Sequence, residues 1–281
     1  MTGKTLTGGP MIVHPPRRTL TGRAAVFRVV EGLWTWYRRN WRATVVSSLL
    51  QPLLMLVAFG VGFGSLIGGS ARAAQATGGV PYLVYLAPAL LAVSAVQTAA
   101  FESSYPILSS FKWQRTYEGI VATPITPGQL AVGQLTWIAL RLTMSGAAYL
   151  LVVTLFGAVR GPGVLAALVF AVLCGMAFGA PLVAFSAAQE REGGAFTAIF
   201  RFVVLPMILF SGTFFPISQL PRVVQPVAWI SPLWHGTELA RGVALGTLRA
   251  WPAAGHAAYL TALLAVGVRL ACWQYRVRLT R

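Results

Sequence analysis

Six long runs of apolar residues, separated by shorter polar segments, dominate the pattern along this chain of 281 residues. A helix needs about 20 mostly apolar residues to cross the hydrocarbon core of a bilayer. Each run reaches that length, and the runs cover residues 43–68, 82–103, 129–157, 164–188, 196–216 and 252–272. The pattern predicts an all-α membrane protein with six transmembrane helices.

An amphipathic segment, residues 24–42, comes directly before the first apolar run. Its apolar residues recur at helical spacing, with arginines between them, which is typical of a helix lying in the membrane interface with its aromatic rings at headgroup depth. The residues that define this interfacial helix are Trp34, Trp36, Tyr37, Arg38, Arg39 and Trp41. Such a helix would contact membrane lipids directly. The alternative is a soluble amphipathic helix packed on its own domain.

The segment 213–250 is too apolar for a solvated loop and too often interrupted by proline for a membrane span. Its prolines recur at intervals of five or six residues, at Pro216, Pro221, Pro226 and Pro232. Two short helices that enter the outer leaflet and return, packed against neighbouring spans, satisfy both properties. Trp229 and Trp234 fit an aromatic belt, and Glu238 with Arg241 fits an exposed ion pair of little energetic weight. We therefore expect a re-entrant outer helical hairpin before the last span.

Charge adds an orientation to this topology. The chain has 22 Lys and Arg against six acidic residues, a net charge of +16. Fifteen of the basic residues lie in the N-terminal segment, the second and fourth connections and the C-terminal tail 273–281, against five in the other connections. Because cytoplasmic loops carry the excess of Lys and Arg, we expect a multi-pass protein of the inner membrane with both termini in the cytoplasm and residues 1–23 as a disordered tail. The basic residues follow the ends of the apolar runs rather than a soluble face, which argues against a nucleic-acid partner.

The connection 104–128 combines aromatic and charged side chains, and residues 107–119 are expected to form a short cytoplasmic helix. Its exposed side chains are expected to be Phe111, Lys112, Trp113, Arg115, Tyr117 and Glu118. Such a mixture suits contact with another protein better than contact with water; the alternative is an ordinary amphipathic loop. A stiff Thr-Pro-Ile-Thr-Pro-Gly turn follows, in which Thr126 or Gly128 begins the third span.

Polar side chains also occur inside the predicted spans. Arg141 lies near the middle of the third span, where an unpaired arginine costs about 2.5–3.5 kcal/mol and must face protein or water. Glu102, near the cytoplasmic end of the second span, is a candidate partner, and Gln51 and Gln134 are further polar groups. Two interpretations remain open: a substrate pathway or gate, and polar contacts that hold helices together.

No group of residues in the sequence has the pattern of a catalytic or metal site. The three histidines, His14, His235 and His256, are scattered, and Cys174 and Cys272 lie singly in apolar runs. We therefore expect no enzyme activity, no metal and no cofactor bound by this chain. If the protein does energy-driven work, the energy must arrive from outside the chain.

Several strings of the sequence resemble the ABC-2 class of ABC-transporter permeases, in its nodulation-factor and daunorubicin-exporter branch. They are YLVYLAPALLA (82–92), FESSYPI (101–107), ATPITPGQLAVGQLTW (122–137), SGTFFPISQLP (211–221) and SPLWHGTELARG (231–242). The resemblance covers nearly all of the chain after residue 24, and its most specific part is 211–242.

This resemblance implies a dimer of permease chains, identical or paired with a sister subunit, bound to two cytoplasmic ATP-binding subunits that hold ATP and Mg²⁺. The helix at 107–119 would dock on the ATPase and the helix at 24–42 would brace it. The outer hairpin would form a gate that includes Phe214, Phe215, Pro216, Trp229 and Trp234. The implied substrates are amphipathic, such as a lipid-linked glycan, a lipo-oligosaccharide or a hydrophobic drug, exported across the inner membrane. The alternative is a proton- or ion-coupled secondary transporter, although we find no internal repeat of the kind usual in such proteins.

Overall fold

A computed structural model of the chain describes residues 20–63, 79–158, 161–190 and 194–280, with the backbone alone at residues 40, 42–49, 51–52, 59–61 and 63. Every regular element over these residues is helical. In chain order the helices are α1 (Gly22–Met55), which continues as π-helical turns over Leu56–Phe63, α2 (Tyr82–Glu102), α3 (Tyr105–Lys112), α4 (Thr116–Val121), α5 (Pro127–Leu155), α6 (Gly163–Ala188), α7 (Ala195–Phe210), α8 (Gln225–Ile230), α9 (Pro232–Ala244) and α10 (Ala250–Leu279).

Four helical stretches over the described residues are long and apolar enough to cross a membrane. They are Tyr82–Lys112, Pro127–Leu155, Gly163–Ala188 and Ala250–Leu279, and they coincide with the second, third, fourth and sixth predicted spans. The first predicted span, 43–68, lies partly outside the described residues. The helix over the fifth, Ala195–Phe210, is shorter than a full span. The all-helical class is confirmed, and the count of six spans stays a prediction.

The helix α7 ends at Phe210 and not at the predicted residue 216. Gly212 has a φ of +74°, a left-handed conformation that glycine adopts without steric cost. Residues 211–215 are bends, and Pro216 then precedes a single 3₁₀ turn over Ile217–Gln219. The sequence predicted a span up to residue 216 because Phe214, Phe215 and Pro216 are apolar. The backbone, however, leaves the helix after Phe210 and turns at Gly212.

The N-terminal helix α1 continues without a break from Gly22 to Met55. A separate surface helix over 24–42 is therefore wrong as an element of its own, since the sequence between residues 33 and 51 has no Gly or Pro that would end a helix. Val29 and Tyr37 of its first half are buried, and this half packs on α5. Gly133 of α5 permits the approach, because a Cβ there would lie 2.7 Å from the side chain of Val29.

Thr126 begins α5 through a capping box. Its hydroxyl oxygen accepts a hydrogen bond from the Gln129 amide at 3.3 Å, and the Gln129 side-chain oxygen accepts one from the Thr126 amide at 2.9 Å. Pro127 occupies the first helical position, where its missing N–H has no intrahelical partner to lose. Of the two predicted starting residues, Thr126 is confirmed and Gly128 is already inside the helix.

The helices α2 and α6 form the centre of the bundle. The helix α6 packs along α2, α9 and α10. Of an apolar stretch of 18 residues within the candidate span Tyr82–Lys112, which contains α2, 89% is buried inside the chain; in α10 the corresponding share is 17%. Thus α2 contacts mainly protein, whereas α10 presents most of its surface outward. Pro88 and Pro181 lie inside these two central helices, where neighbouring helices can satisfy the backbone groups that a proline frees.

The predicted outer segment contains the 3₁₀ turn, α8 and α9. The helix α9 packs closely on α6, because a Cβ on its Gly236 would collide with the side chain of Cys174. The two short helices agree with a broken, apolar segment. Their depth in a membrane, and hence the re-entrant hairpin, stays a prediction.

The last helix, α10, packs against α6 at a close contact between Gly267 and Pro181. A Cβ on Gly267 would lie 2.5 Å from Cδ of Pro181 and 2.6 Å from its nitrogen. Small residues allow this kind of approach between membrane helices. The helix then continues to Leu279, so the basic tail predicted for 273–281 is helical over most of its length.

We expect Gly267→Ala to lower the free energy of unfolding by about 1–3 kcal/mol, the usual cost of overpacking. The proline ring and backbone that face Gly267 are rigid and cannot move aside. Gly255→Ala is the matched control, because it lies in the same helix with no atom within 4 Å of its added Cβ. It is expected to be neutral or slightly stabilising, since alanine favours a helix over glycine. Thermal unfolding of both variants in detergent tests this, and equal melting temperatures would contradict it.

Candidate functional site

Two short helices, α3 and α4, join the long helices α2 and α5 at one end of the bundle. They meet at Arg115, whose φ of 50° and ψ of 26° lie in the left-handed region. Among the described residues it is the only one other than glycine with a positive φ, a conformation that costs roughly 1–2 kcal/mol. The single helix predicted over 107–119 is therefore wrong, because the chain makes a corner there.

Three aromatic rings anchor α3 and α4 to the end of α10. The ring centroid of Phe111 lies 4.8 Å from that of Tyr117 and 4.9 Å from that of Tyr275. Phe111 is 6% exposed and Tyr117 is 3% exposed, so the prediction that these two side chains are exposed is wrong. Burial raises the pKa of Tyr117 to about 12, which keeps its phenol neutral at physiological pH. These side chains hold the two short helices in place.

Arg278 strengthens this anchor. Its guanidinium lies 4.4 Å from the ring centroid of Phe111. It donates hydrogen bonds to the carbonyl oxygens of Ala187, at 2.7 Å, and Gln189, at 2.8 Å. Since these carbonyls belong to the C-terminal end of α6, one arginine joins the ends of α3, α6 and α10.

The corner between α3 and α4 carries the side chains that remain outside the anchor. Trp113 is 53% exposed, Arg115 and Glu118 are exposed, and Lys112 is half-buried beside them. We call these four residues the corner surface. An exposed tryptophan among charges of both signs, mounted on a buried base, has the composition of a protein contact.

A buried ion pair joins long helices near the same end of the bundle. Arg141 Nε lies 3.0 Å from Glu102 Oε1, and the Arg141 side chain is 4% exposed. The guanidinium also lies 4.5 Å from the ring centroid of Tyr37. These residues come from α5, α2 and α1, so the cluster ties three helices together inside the chain. Of the two interpretations left open by the sequence, this arrangement favours polar contacts between helices over a substrate pathway.

The other polar residues predicted inside the spans do not join this pair by hydrogen bonds in the part of the chain that the structure describes. Gln134 is buried seven residues before Arg141, and its side-chain oxygen has no hydrogen-bond partner among the described residues. The side chain of Gln51 lies outside the described residues.

The aromatic residues of α1 divide between protein and the outside. The rings of Trp34 and Tyr37 lie 6.4 Å and 5.7 Å, centroid to centroid, from the ring of Trp137 in α5. Tyr37 is buried, whereas Trp34 is 41% exposed. The other exposed residues of the predicted set are Trp36, Arg38, Arg39 and Trp41. Contact with membrane lipids by this outward set stays a prediction.

Arg241 of α9 is buried beside Tyr85, near the other end of α2. Tyr85 lies about 26 Å along α2 from Glu102. Arg241 Nη2 donates hydrogen bonds to the carbonyl oxygens of Gly212, at 2.9 Å, and Thr213, at 3.2 Å. The guanidinium lies 3.9 Å from the ring centroid of Tyr85 in α2. The predicted ion pair with Glu238 is present, with Arg241 Nη1 3.4 Å from Glu238 Oε1. Only the expected exposure of Arg241 is wrong, because this residue is 7% exposed.

The predicted gate residues differ in their exposure. The carbonyl oxygen of Phe214 accepts a hydrogen bond of 2.9 Å from the Tyr82 hydroxyl, which ties the start of the outer segment to α2. Phe215 is 39% and Trp229 51% exposed, whereas Pro216 and Trp234 are half-buried. The gate role of these residues is untested by their geometry alone.

Two histidines that are 21 residues apart in the sequence meet beside Trp229 and Trp234, two of the predicted gate residues. Nδ1 of His235 lies 2.7 Å from Nδ1 of His256, and Nε2 of His235 lies 2.9 Å from the carbonyl oxygen of Trp229. Since a carbonyl only accepts, the neutral His235 ring donates from Nε2 to Trp229 and accepts at Nδ1. The interpretation of these histidines as scattered is wrong in space. Over the described residues, no three His, Cys, Asp or Glu side chains come together as metal ligands.

Comparison with known proteins agrees with the resemblance seen in the sequence. A family model described as ABC-2 type transporter matches residues 25–245. Nodulation protein J of Sinorhizobium fredii (strain NBRC 101917 / NGR234) is 32% identical over 240 residues, 82% of this chain and 87% of that protein. Nodulation protein J of Rhizobium meliloti (strain 1021) is 31% identical over 224 residues, 76% of this chain and 82% of the relative. The chain belongs to the ABC-2 type transporter family.

Proposed function

We propose that this chain is the membrane subunit of an ATP-driven exporter that moves an amphipathic substrate outward across the inner membrane. ATP and Mg²⁺ are held by two copies of a separate ATP-binding chain, and both termini of this chain lie in the cytoplasm. The family match over residues 25–245 supports the permease role. A lipid-linked glycan, a lipo-oligosaccharide or a hydrophobic drug fits a chain whose helices carry few charges.

The corner surface is the observation that carries this proposal. Its four residues lie at a corner held by the anchor of Phe111, Tyr117 and Tyr275. A partner that binds this surface loses little side-chain and backbone entropy, because the base is already ordered. The anchor also ends on α6 and α10 through Arg278. Movement of a bound ATPase therefore reaches two long helices directly.

We place the substrate route between two permease chains, identical or paired with a sister subunit. An amphipathic substrate needs polar groups along its route, yet Glu102 and Arg141 are already paired within the chain. The helix α7 is shorter than a span and exposes large apolar side chains such as Phe202, at 72%. A second permease chain packed there would cover an apolar surface of this kind.

Reconstitution of the chain into inverted membrane vesicles, with and without its ATP-binding chain, tests the exporter role. We expect uptake of a fluorescent lipid-linked glycan only with both chains and ATP. A proton gradient alone is expected to drive none, since the chain lacks the internal repeat usual in secondary transporters. Uptake driven by a proton gradient in the absence of the ATP-binding chain would contradict the proposal and favour the secondary transporter.

Charge reversal at the corner should weaken binding of the ATP-binding chain, measured as a dissociation constant. We expect Arg115→Glu to weaken binding of the ATP-binding chain about tenfold, equivalent to about 1.4 kcal/mol. Arg115→Asn removes the charge but tolerates the left-handed backbone, so it is expected to weaken binding less. Arg222→Glu, an exposed reversal in the outer segment, is the control and should leave binding unchanged. Identical binding constants for all four proteins would rule out docking at this corner.

A further inference from the structure

A groove of about 730 Å³ lies between the start of α1, the start of α5 and the end of α10. Its volume is within the range of roughly 300–1,000 Å³ that is common for small-molecule sites. The residues that line it are Gly22, Arg23, Val26, Phe27, Val30, Thr126, Gly128, Gln129, Val132, Thr136, Cys272 and Arg276. It lies apart from the corner surface and from the Arg241 cluster, and neither uses its residues.

Two arginines face this groove without a counter-charge. Arg23 and Arg276 are both exposed, and no carboxylate is among the lining residues. Neither guanidinium forms an ion pair within the part of the chain that the structure describes. The Arg276 guanidinium lies over Gly128, where a Cβ would come within 3.3 Å of it. The absence of a side chain at 128 thus leaves room for this cation at the start of α5.

The other polar groups of the groove are already used inside the chain. The hydroxyl oxygen of Thr126 and the amide of Gln129 form the capping box, and Gln129 also donates to the carbonyl oxygen of Leu20. The hydroxyl of Thr136 donates to the carbonyl oxygen of Val132. The guanidinium N–H groups of Arg23 and Arg276 therefore remain as the charged hydrogen-bond donors of the groove. Two positively charged donors are suited to an anionic ligand.

One wall of the groove is apolar. Val26, Phe27 and Val30 of α1 face Val132 of α5 across it, and Phe27 is 65% exposed. A free anion would gain nothing from such a wall, whereas an acyl chain would remove apolar surface from water. Cations beside an apolar wall, at the ends of membrane helices, match the two parts of a lipid.

We propose that this groove binds an anionic phospholipid, with its phosphate between Arg23 and Arg276 and its acyl chain along the wall of Phe27. Arginine donates paired hydrogen bonds to phosphate oxygens in this manner. A bound lipid would join the start of α1 to α10 close to the aromatic anchor at Tyr275. With both termini in the cytoplasm, as proposed above, this lipid would belong to the cytoplasmic leaflet; the contacts of the groove themselves do not depend on that orientation.

Cys272 provides a reporter of occupancy without any substitution. It lines the groove and is half-buried, while the other cysteine of the sequence, Cys174, is 0% exposed. The protein is purified in a neutral detergent, mixed with phosphatidylglycerol or with phosphatidylcholine, and treated with a neutral maleimide. We expect modification about tenfold slower in phosphatidylglycerol at ten times its Kd, since only empty grooves react. Equal rates in the two lipids would overturn the proposal.

Paired variants identify the phosphate contacts. Arg23→Gln with Arg276→Gln should abolish the difference between the two lipids, and Arg222→Gln, an exposed arginine outside the groove, should retain it. The ratio of the rates in the two lipids is taken within each variant, because Arg276 and Cys272 line the same groove and the substitution changes the surroundings of the thiol in both lipids. Modification of Cys174 would reveal a variant that has unfolded, and the result on the unsubstituted protein stands regardless. Retention of the difference in the double variant would overturn the proposal.

Two further arms separate other occupants of the groove. Inorganic phosphate alone is expected to leave the rate unchanged, and protection equal to that of the lipid would show a phosphate site instead. A chain that begins at Leu20 should keep the lipid dependence. Faster modification of this shortened chain, with the lipid effect lost, would mean that residues 1–19 fill the groove. Because these measurements require no transport, their failure leaves the exporter proposal untouched.

Discussion

Replacing Glu102 with leucine is expected to lower the free energy of unfolding by roughly 3 kcal/mol. The change leaves Arg141, 4% exposed, without its counter-charge. The expected loss lies at the lower end of the range for broken buried pairs because the Glu102 side chain is itself 21% exposed. Thermal unfolding in detergent measures the effect, with the loss of the monodisperse size-exclusion peak on heating as the signal.

The double variant Glu102→Leu with Arg141→Met decides whether the charge is the cause. Two apolar side chains of similar volume leave no buried charge unpaired, so we expect the double variant to be more stable than Glu102→Leu alone. Glu31→Leu is the matched control, since Glu31 pairs with Arg28 at 2.8 Å with both side chains largely exposed. An exposed pair contributes little. Equal losses in Glu102→Leu and Glu31→Leu would show that burial of the pair has no weight.

The same variants separate the two interpretations of the pair. If Glu102 and Arg141 serve only to hold helices together, the double variant regains both stability and transport. If they line a substrate pathway, stability returns but transport does not. The Arg141 guanidinium lies 4.5 Å from the ring centroid of Tyr37. This contact favours the first outcome, because it adds α1 to the helices that the ion pair holds together.

The features that could be predicted from the sequence are those with local causes. The capping box at Thr126 depends on residues three apart, and the partner of Arg141 follows from the cost of an unpaired charge in a membrane. The four candidate spans follow from apolar length alone. Each of these requires no knowledge of which helices become neighbours.

The features that were missed depend on neighbours distant in sequence. The aromatic and charged pattern of 107–119 does not reveal that Phe111 and Tyr117 face Tyr275, which follows more than 150 residues later. His235 and His256 lie on two different helices, with no spacing that would signal their contact. Tertiary packing decides which face of an amphipathic helix is buried.

Arg241 was misjudged for a different reason. A carboxylate three residues away made it look like one half of a surface pair, whereas its stronger partners are backbone carbonyls. Every residue carries a carbonyl, so side-chain patterns give no sign of such acceptors. Gly212 was the one sign in the sequence that the helix ends there. Its turn ends α7 directly before the outer segment and leaves the carbonyls of Gly212 and Thr213 outside the helical hydrogen bonds, so that Arg241 can bind them.

The two clusters lie at opposite ends of α2. Glu102 binds Arg141 at one end, and the backbone of Tyr85 faces Arg241 near the other. The helix between them is the most buried candidate span. A buried central helix with an arginine contact at each end connects the two clusters. Under the proposed function this helix would link the docking side to the outer side, and the contact of Arg241 can be tested separately.

Replacing Arg241 with methionine is expected to open the connection between α7 and the outer segment. The substitution keeps the side-chain volume roughly but leaves the carbonyls of Gly212 and Thr213 buried without donors. Each orphaned group costs about 1–3 kcal/mol, so we expect a loss of roughly 3 kcal/mol in local stability. Faster amide exchange over residues 211–215, with unchanged exchange in α5, would report this opening.

Arg241→Lys is expected to lose almost as much local stability over residues 211–215 as Arg241→Met. A lysine ammonium cannot bind both carbonyls and stack on the Tyr85 ring as a planar guanidinium does. Arg249→Met is the matched control, since Arg249 is exposed next to α10 and no hydrogen bond from its side chain is formed among the described residues. If the proposed function holds, complexes of the ATP-binding chain with either Arg241 variant should hydrolyse ATP but transport little, because the substitutions lie far from the proposed docking surface. Transport by Arg241→Lys at the rate of the unsubstituted protein would show that charge alone suffices at this position. Unchanged slow exchange over 211–215 in Arg241→Met would show that the hydrogen bonds from Arg241 to Gly212 and Thr213 do not hold this turn.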